Sequence, residues 1–319
     1  MGSSSSGASP LHRGSLGPVY AALLLQVSIS AGTYLAGKRA MAELPPVTVV
    51  LWRFFLSAAV FCLLLALTPG SKLPPRAEWK RVLLLGFLAG PLNQMLFFYG
   101  LSLSTAAHAA LFYALTPLGV YLLSFARGLE RPSSRATLGI LTAFCGVVVL
   151  LLGRGLASAQ GSLLGDLLIL AAVSAWVVYT TEGKPCAAAH GPLRATSWSM
   201  VVAALLLVPL APFALAPART LAASAPALGS IVYLAVLTSV VAYVIWYYAL
   251  SKVPASRVAF FSNLQPAATA LAAWALLGEP LHWEVGVGGV LVLAGVRLTQ
   301  GAPASVAPRP SSPGARAGA

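Results

Sequence analysis

Hydrophobic residues run through this chain in long stretches, broken by short segments that hold most of the charges and many of the prolines and glycines. A run of about 18 or more apolar residues, wound as an α-helix, crosses the ~30 Å hydrocarbon core of a bilayer. Taking charges, prolines and glycines as breaks, the pattern predicts ten spans: 18–37, 46–67, 82–101, 104–126, 136–153, 162–181, 195–215, 228–250, 255–277 and 284–300. Backbone polar groups in lipid must be satisfied within their own segment, so each span is expected to be helical. A membrane barrel would alternate apolar and polar residues in segments of about ten, and continuous stretches such as 82–98 do not. The expected fold class is therefore all-α, a polytopic bundle with short connections and no soluble domain. The Ser/Gly-rich segment 1–17 and the Pro/Ala/Ser/Gly-rich tail 301–319 are expected to be disordered. The first span has no convincing small-residue cleavage site before Lys38, so it reads as a retained span. Met1-Gly2 with Ser6 matches a myristoylation pattern only within low-complexity serine, and carries no weight.

Composition agrees with the pattern. Hydrophobic residues make up 58% of the 319 and charged residues 8%, against about a quarter charged in soluble domains. The net charge of +13 does not point to nucleic acid, because the basic residues sit in short loops with no basic stripe or aromatic reading surface. Cys62, Cys145 and Cys186 have no paired spacing, and the first two lie inside apolar runs, as packing residues do. Loop charge sets orientation. With the N-terminus inside, the inner segments hold 14 Lys and Arg and the outer loops 4, while Arg53 and Arg257 fall within spans. That bias places both termini in the cytoplasm and supports an even number of spans.

The chain also repeats itself. Shifting residues 99–147 by 149 positions onto 248–296 leaves 14 of 49 identical, where this composition gives about five by chance. The matches include Tyr99/Tyr248, Phe112/Phe261, Pro117/Pro266, Glu130/Glu279, Gly139/Gly288 and Gly146/Gly295. Two halves, 18–153 and 162–300, then hold five helices each. An odd number makes the second half enter the membrane from the opposite side. Inverted repeats are a common architecture of secondary transporters, whose solute sites lie near the midplane where the halves meet.

YGLSLSTAAHAALFYALTP at 99–117, its counterpart YYALSKVPASRVAFFSNLQP at 247–266, and LGEPLHWEVGVGGVLVLAGV at 277–296 resemble the ten-span drug/metabolite transporter superfamily, EamA type. The resemblance covers about 19–298. It implies a basket-like bundle with a central cavity lined mainly by spans 1, 3, 4, 6, 8 and 9, with spans 5 and 10 peripheral. It also implies carriage of amino acids, purines, drugs or other metabolites, often outward. No GxxxxGK[ST] motif is present, so ATP is not expected as the direct energy source, and no cofactor, metal or catalytic group is expected.

Polar groups inside spans are costly unless they face a cavity or one another. By that rule the solute-binding candidates are Gln26, Ser30 and Tyr34, which share one helical face, with Asn93, Gln94, Tyr113 and Thr116. Further along they are Trp176, Tyr179, Tyr243, Tyr247, Asn263 and Gln265. Interhelical hydrogen bonding is the plainer role for each. His108 and Arg257 occupy equivalent repeat positions, each about one turn into its helix, and are the gating candidates. The carboxylates all sit in loops or near span ends, and no close His/Asp or His/Glu cluster lies within the spans; proton coupling through a buried acid is not expected. The expected partners are a small-molecule substrate and the lipid bilayer, in a monomer or homodimer of the inner membrane. The competing readings are a lipid-modifying membrane enzyme, for which no HExxH or GxSxG is found, and a channel or flippase.

Overall fold

A computed structural model of the chain describes residues 17–70, 73–126, 134–152, 163–252, 258, 261, 264–278 and 282–300. Among the described residues, ten helical segments follow the expected spans. They are α1 (Gly17–Met41), α2 (Pro46–Leu67), α3 (Arg76–Leu103), α4 (Ala106–Tyr113 continued by Thr116–Ala126) and α5 (Ser134–Leu152) in the first half. In the second half they are α6 (Leu163–His190), α7 (Pro192–Ala214), α8 (Ala225–Lys252), α9 (Gln265–Leu277 in its described part) and α10 (Trp283–Gln300). Seven are long and apolar enough to cross a membrane, while α5, α9 and α10 carry shorter apolar stretches. The protein is thus a multi-pass, all-α membrane protein. The segments 1–16 and 301–319, expected to be disordered, lie outside the described residues.

Helix ends differ from expectation where charge served as a break. The sixth span was expected to stop at 181, yet α6 continues through Glu182, Lys184 and Pro185 to His190. Its last turns are amphipathic: Gly183, Cys186 and Ala187 are buried while Lys184, Pro185 and Ala188 face outward. At ~1.5 Å per residue, 28 residues outrun the hydrocarbon core, so the polar turns project beyond it. Gly191 (φ 83°) and then Pro192 at the first turn of α7 make the reversal in a single residue.

Packing follows a pseudo-twofold exchange of halves. α1 packs on α8 as α6 does on α3, α2 on α8 as α7 on α3, and α1 on α9 as α6 on α4; α2–α7, α4–α9 and α5–α10 pair with their own counterparts. The α5–α10 pair shows why the repeat keeps glycines. A Cβ on Gly146 would stand 2.8 Å from the Gly288 carbonyl oxygen, and one on Gly295 2.5 Å from that of Gly139. Small residues let the backbones approach, which drives helix association where lipid removes the hydrophobic incentive.

Backbone irregularities fall at equivalent places in the two halves. α3 passes through a π-helical turn at Leu88–Leu92 that includes Pro91, and α8 is π-helical over Tyr233–Ala242. Such turns change which residues face a neighbour and recur at functional sites. In α4 the bend at Ala114–Leu115 precedes Pro117, whose missing N–H leaves the Tyr113 carbonyl free; the Thr116 hydroxyl donates to it at 2.7 Å.

Candidate functional site

The two π-helical turns end at residues that meet between the halves. Asn93 and Gln94 follow the turn in α3, and Tyr243 follows the one in α8; Gln94 and Tyr243 are equivalent under the 149-residue shift. Around them lies a cavity of about 70 Å³, room for a few water-sized groups. α1 contributes Gln26, Ser30, Thr33 and Tyr34, and α3 contributes Asn93, Gln94 and Phe97. Tyr113 and Thr116 reach it from the bend of α4, Trp176 from α6, and Gln265 from α9. Thr238, Ala242, Tyr243 and Trp246 complete it from α8. The structure therefore gathers ten of the sequence-derived candidates at one place. Tyr179 and Tyr247 stand a layer back: Tyr179 stacks on Trp176 at 5.2 Å and on Tyr247 at 5.5 Å, and bonds Ser199 through its hydroxyl at 3.2 Å. Asn263 and Arg257 lie outside the described residues.

A hydrogen-bonded chain across the cavity joins the halves. Asn93 Nδ2 donates to the Tyr113 hydroxyl at 2.8 Å and to the Ala172 carbonyl of α6 at 2.7 Å. Gln94 Nε2 donates to Asn93 Oδ1, and reaches the Tyr243 hydroxyl at 3.4 Å. Gln94 Oε1 accepts from Arg53 Nη1 at 2.5 Å, and Arg53 Nε donates to Ser239 Oγ at 2.7 Å. Thr33 and Thr238 share a further bond at 2.9 Å. Tyr34 closes the α9 side with a long contact, its hydroxyl 3.5 Å from Gln265 Oε1.

This bonding sorts the candidates by what they have left for a ligand. Both amide hydrogens of Asn93 are committed, so its role is to hold α3, α4 and α6 together. Gln26 is different: its Nε2 donates to Ser30 Oγ at 2.8 Å while its buried Oε1 has no partner. The buried indole Nε1 of Trp246 has none either. Aromatic rings form the rest of the wall, with Phe97 5.6 Å from Tyr34 and 5.4 Å from Tyr113 edge-on, and Trp176 5.2 Å from Tyr243.

The sequence-derived candidates leave out several lining residues, Thr33, Phe97, Thr238 and Ala242 among them, and most consequentially Arg53. Arg53 is 1% exposed in the interior of α2. Its signal was present, a guanidinium eight residues into a 22-residue apolar helix, and an ionisable group at that depth is a functional candidate by default.

The carboxylates also need correction. Asp166 lies near the start of α6 as expected, but it is fully buried. It accepts from Ser104 Oγ at 2.5 Å and stands 3.4 Å from His108 Nδ1, so a close His/Asp pair does exist within the bundle. Fifty-eight residues separate the two in sequence, and only the packing of α4 on α6 brings them together. Glu284, expected at the start of the tenth span, lies in the first turn of α10 and is buried. No cluster of His, Cys, Asp or Glu suited to a metal is found among the described residues.

The sequence profile of the EamA-like transporter family matches residues 17–152 and again 163–300. The chain is 28% identical to an uncharacterized transporter of Archaeoglobus fulgidus over 87% of its own length and 95% of the relative's. It is 29% identical to the uncharacterized transporter YyaM of Bacillus subtilis over 88% and 92%. A probable terminal-alkyne amino-acid exporter of Streptantibioticus cattleyicolor is 28% identical over 76% and 80%. A crystal structure of a protein 18% identical superposes with a TM-score of 0.62, covering 88% of this chain and 96% of the other; it shares the fold. Two profile matches, one on each five-helix half, establish that this chain belongs to the EamA-like transporter family of membrane transporters.

Proposed function

We propose that the protein is a secondary carrier that moves small organic metabolites (amino acids, nucleobases or drugs) outward across the inner membrane by alternating access. The observation that carries this reading is the cavity between the two halves, lined by aromatic rings and by polar groups of which Gln26 Oε1 and Trp246 Nε1 have no partner. A site at the junction of inverted repeats can face either side when one half rocks against the other. The relative described as an amino-acid exporter supports outward carriage of compounds of amino-acid size. Both termini lie in the cytoplasm, as the Lys/Arg distribution requires.

The test is reconstitution of the full chain into proteoliposomes, with radiolabelled amino acids, nucleobases and polyamines. A carrier gives saturable uptake, accelerated when unlabelled solute is trapped on the far side. Linear, non-saturating flux would identify a channel, and chemically altered solute or lipid would identify an enzyme; either result overturns the proposal.

A further inference from the structure

Among the described residues Arg53 is the one charged residue on the cavity wall, and the described residues around it do not neutralise it. Its hydrogen-bond partners are neutral oxygens, those of Ser239, Gln94 and the Tyr243 hydroxyl, with the Phe98 ring 5.7 Å from the guanidinium carbon. Among the described residues no carboxylate lies within ion-pairing distance of it. A guanidinium has five N–H donors in a fork shaped for a carboxylate, and the bonds to Ser239, Gln94 and Tyr243 leave two. Isolated buried cations are costly, and an anion that pairs with the fork relieves that cost.

The fold does not require the charge. Aligning Pro46 with Pro192 and Trp52 with Trp198, a shift of 192 − 46 = 146 residues, places Ser199 at the position of Arg53 in the other half. Ser199 is also fully buried and simply bonds the Tyr179 hydroxyl. The same place in the scaffold is thus filled once by a small neutral residue and once by a cation that faces the cavity. With no Asp or Glu among the described residues of the wall, these residues give the site a fixed positive charge. A bound monoanion would bring it to neutrality, whereas a zwitterion would leave its ammonium facing only neutral acceptors such as Gln26 Oε1.

We infer that Arg53 holds the acid group of the transported solute, and that the carrier prefers small organic monocarboxylates over zwitterions, amides and amines of the same carbon skeleton. The apolar remainder lies against the aromatic wall, and a hydroxyl or carbonyl substituent meets Gln26 Oε1 or the Trp246 indole N–H. This rests on the carrier reading above and narrows its small organic solutes to monocarboxylates, away from the amino acids named there.

The experiment titrates purified full-length protein with matched series: acetate, lactate, 4-methylpentanoate and benzoate, with the amide, amine and, where it exists, the amino acid of each skeleton. Trp176 and Trp246 line the cavity, so tryptophan fluorescence reports occupancy, with thermal stabilisation as a second readout. At least one acid should bind tenfold or more tightly than its amide and its amino-acid counterpart. Arg53→Gln should remove that preference, and Arg53→Lys should retain part of it. The comparison among ligands on the unaltered protein stands even where a variant fails to fold. Equal or tighter binding of amides, amines or amino acids overturns the assignment, as does acid preference unchanged in Arg53→Gln, or no acid binding at millimolar concentration. Saturable uptake of a neutral or cationic solute alongside those results would sink the Arg53 assignment and leave the carrier intact. No saturable uptake of anything would sink both.

Discussion

Replacing Asn93 with Leu tests whether the amide chain fastens the two halves. The change keeps the side chain's approximate size, so the main loss is hydrogen bonding. Two bonds that cross between helices disappear, to Tyr113 and to the Ala172 carbonyl, and the Gln94 amide nitrogen loses the nearer of its two acceptors. Interhelical bonds in membrane proteins average about 0.6 kcal/mol and reach about 1.7. Two of them plus the weakened Gln94 amide come to roughly 2 kcal/mol, or about 30-fold in the folded-to-unfolded ratio. Reversible unfolding in mixed detergent micelles measures this directly. A double-mutant cycle with Tyr113→Phe isolates one bond, with an expected coupling of roughly 0.6 kcal/mol. Transport should fall as well, because α3 and α6 belong to opposite halves and must move with defined geometry. Stability within about 0.5 kcal/mol of the unaltered protein, together with a coupling near zero, would show that Asn93 fastens nothing.

Gly295→Ala should destabilise the bundle by about 1–3 kcal/mol, since its Cβ would stand 2.4 Å from the Ala143 backbone nitrogen; Gly286→Ala on the same helix meets nothing within 4 Å and serves as the control in the same unfolding assay. Glu43, between α1 and α2, accepts from the Ser224 hydroxyl and N–H, and these bonds hold its carboxyl below the ordinary value of 4.5. Its contribution is present above the unfolded value and lost as pH falls through the lower folded one. Relative to Glu43→Gln, the unaltered protein should protect the amides around Ser224 more strongly above about pH 4.5, and that difference should fade as pH falls through the lower folded value; a difference independent of pH, or none, would refute the link. His108→Ala and Arg257→Ala should shift solvent access to a cysteine at Tyr113 in opposite senses, in otherwise cysteine-free protein; shifts of the same sign remove both from the gate. Cysteines at Arg131 and Glu279 should react with a membrane-impermeant reagent from opposite faces, and labelling from one face would end the inverted topology.

Much of the site was legible in the chain because polar residues are conspicuous inside apolar helices. Gln26, Asn93, Gln94, Tyr113, Tyr243 and Gln265 stand out by polarity alone, and the cavity gathers them. Polarity could not rank them, since what a side chain has left for a solute depends on its neighbours. Asn93 spends its donors on Tyr113 and Ala172, whereas Gln26 keeps an oxygen unpartnered. Arg53 was visible as a charge within a span and was passed over. Its importance comes from the absence of a nearby carboxylate among the described residues, which is a statement about α3 and α8 as much as about α2.

The sequence by itself determined the number of spans, the two halves and the all-α class. Each follows from a local rule, that a helix in lipid needs a long apolar run, or from self-similarity readable without coordinates. Only the tertiary structure decided where charge is buried and which helices meet. α6 carries Glu182 and Lys184 past the expected end because one face of its last turns packs inward. The glycines shared by the halves proved to be facing contacts of α5 and α10. Contacts between residues 58 apart, as in His108–Asp166, or 186 apart, as in Arg53–Ser239, are set by packing between helices, and a pattern read along one helix holds no information about its neighbour.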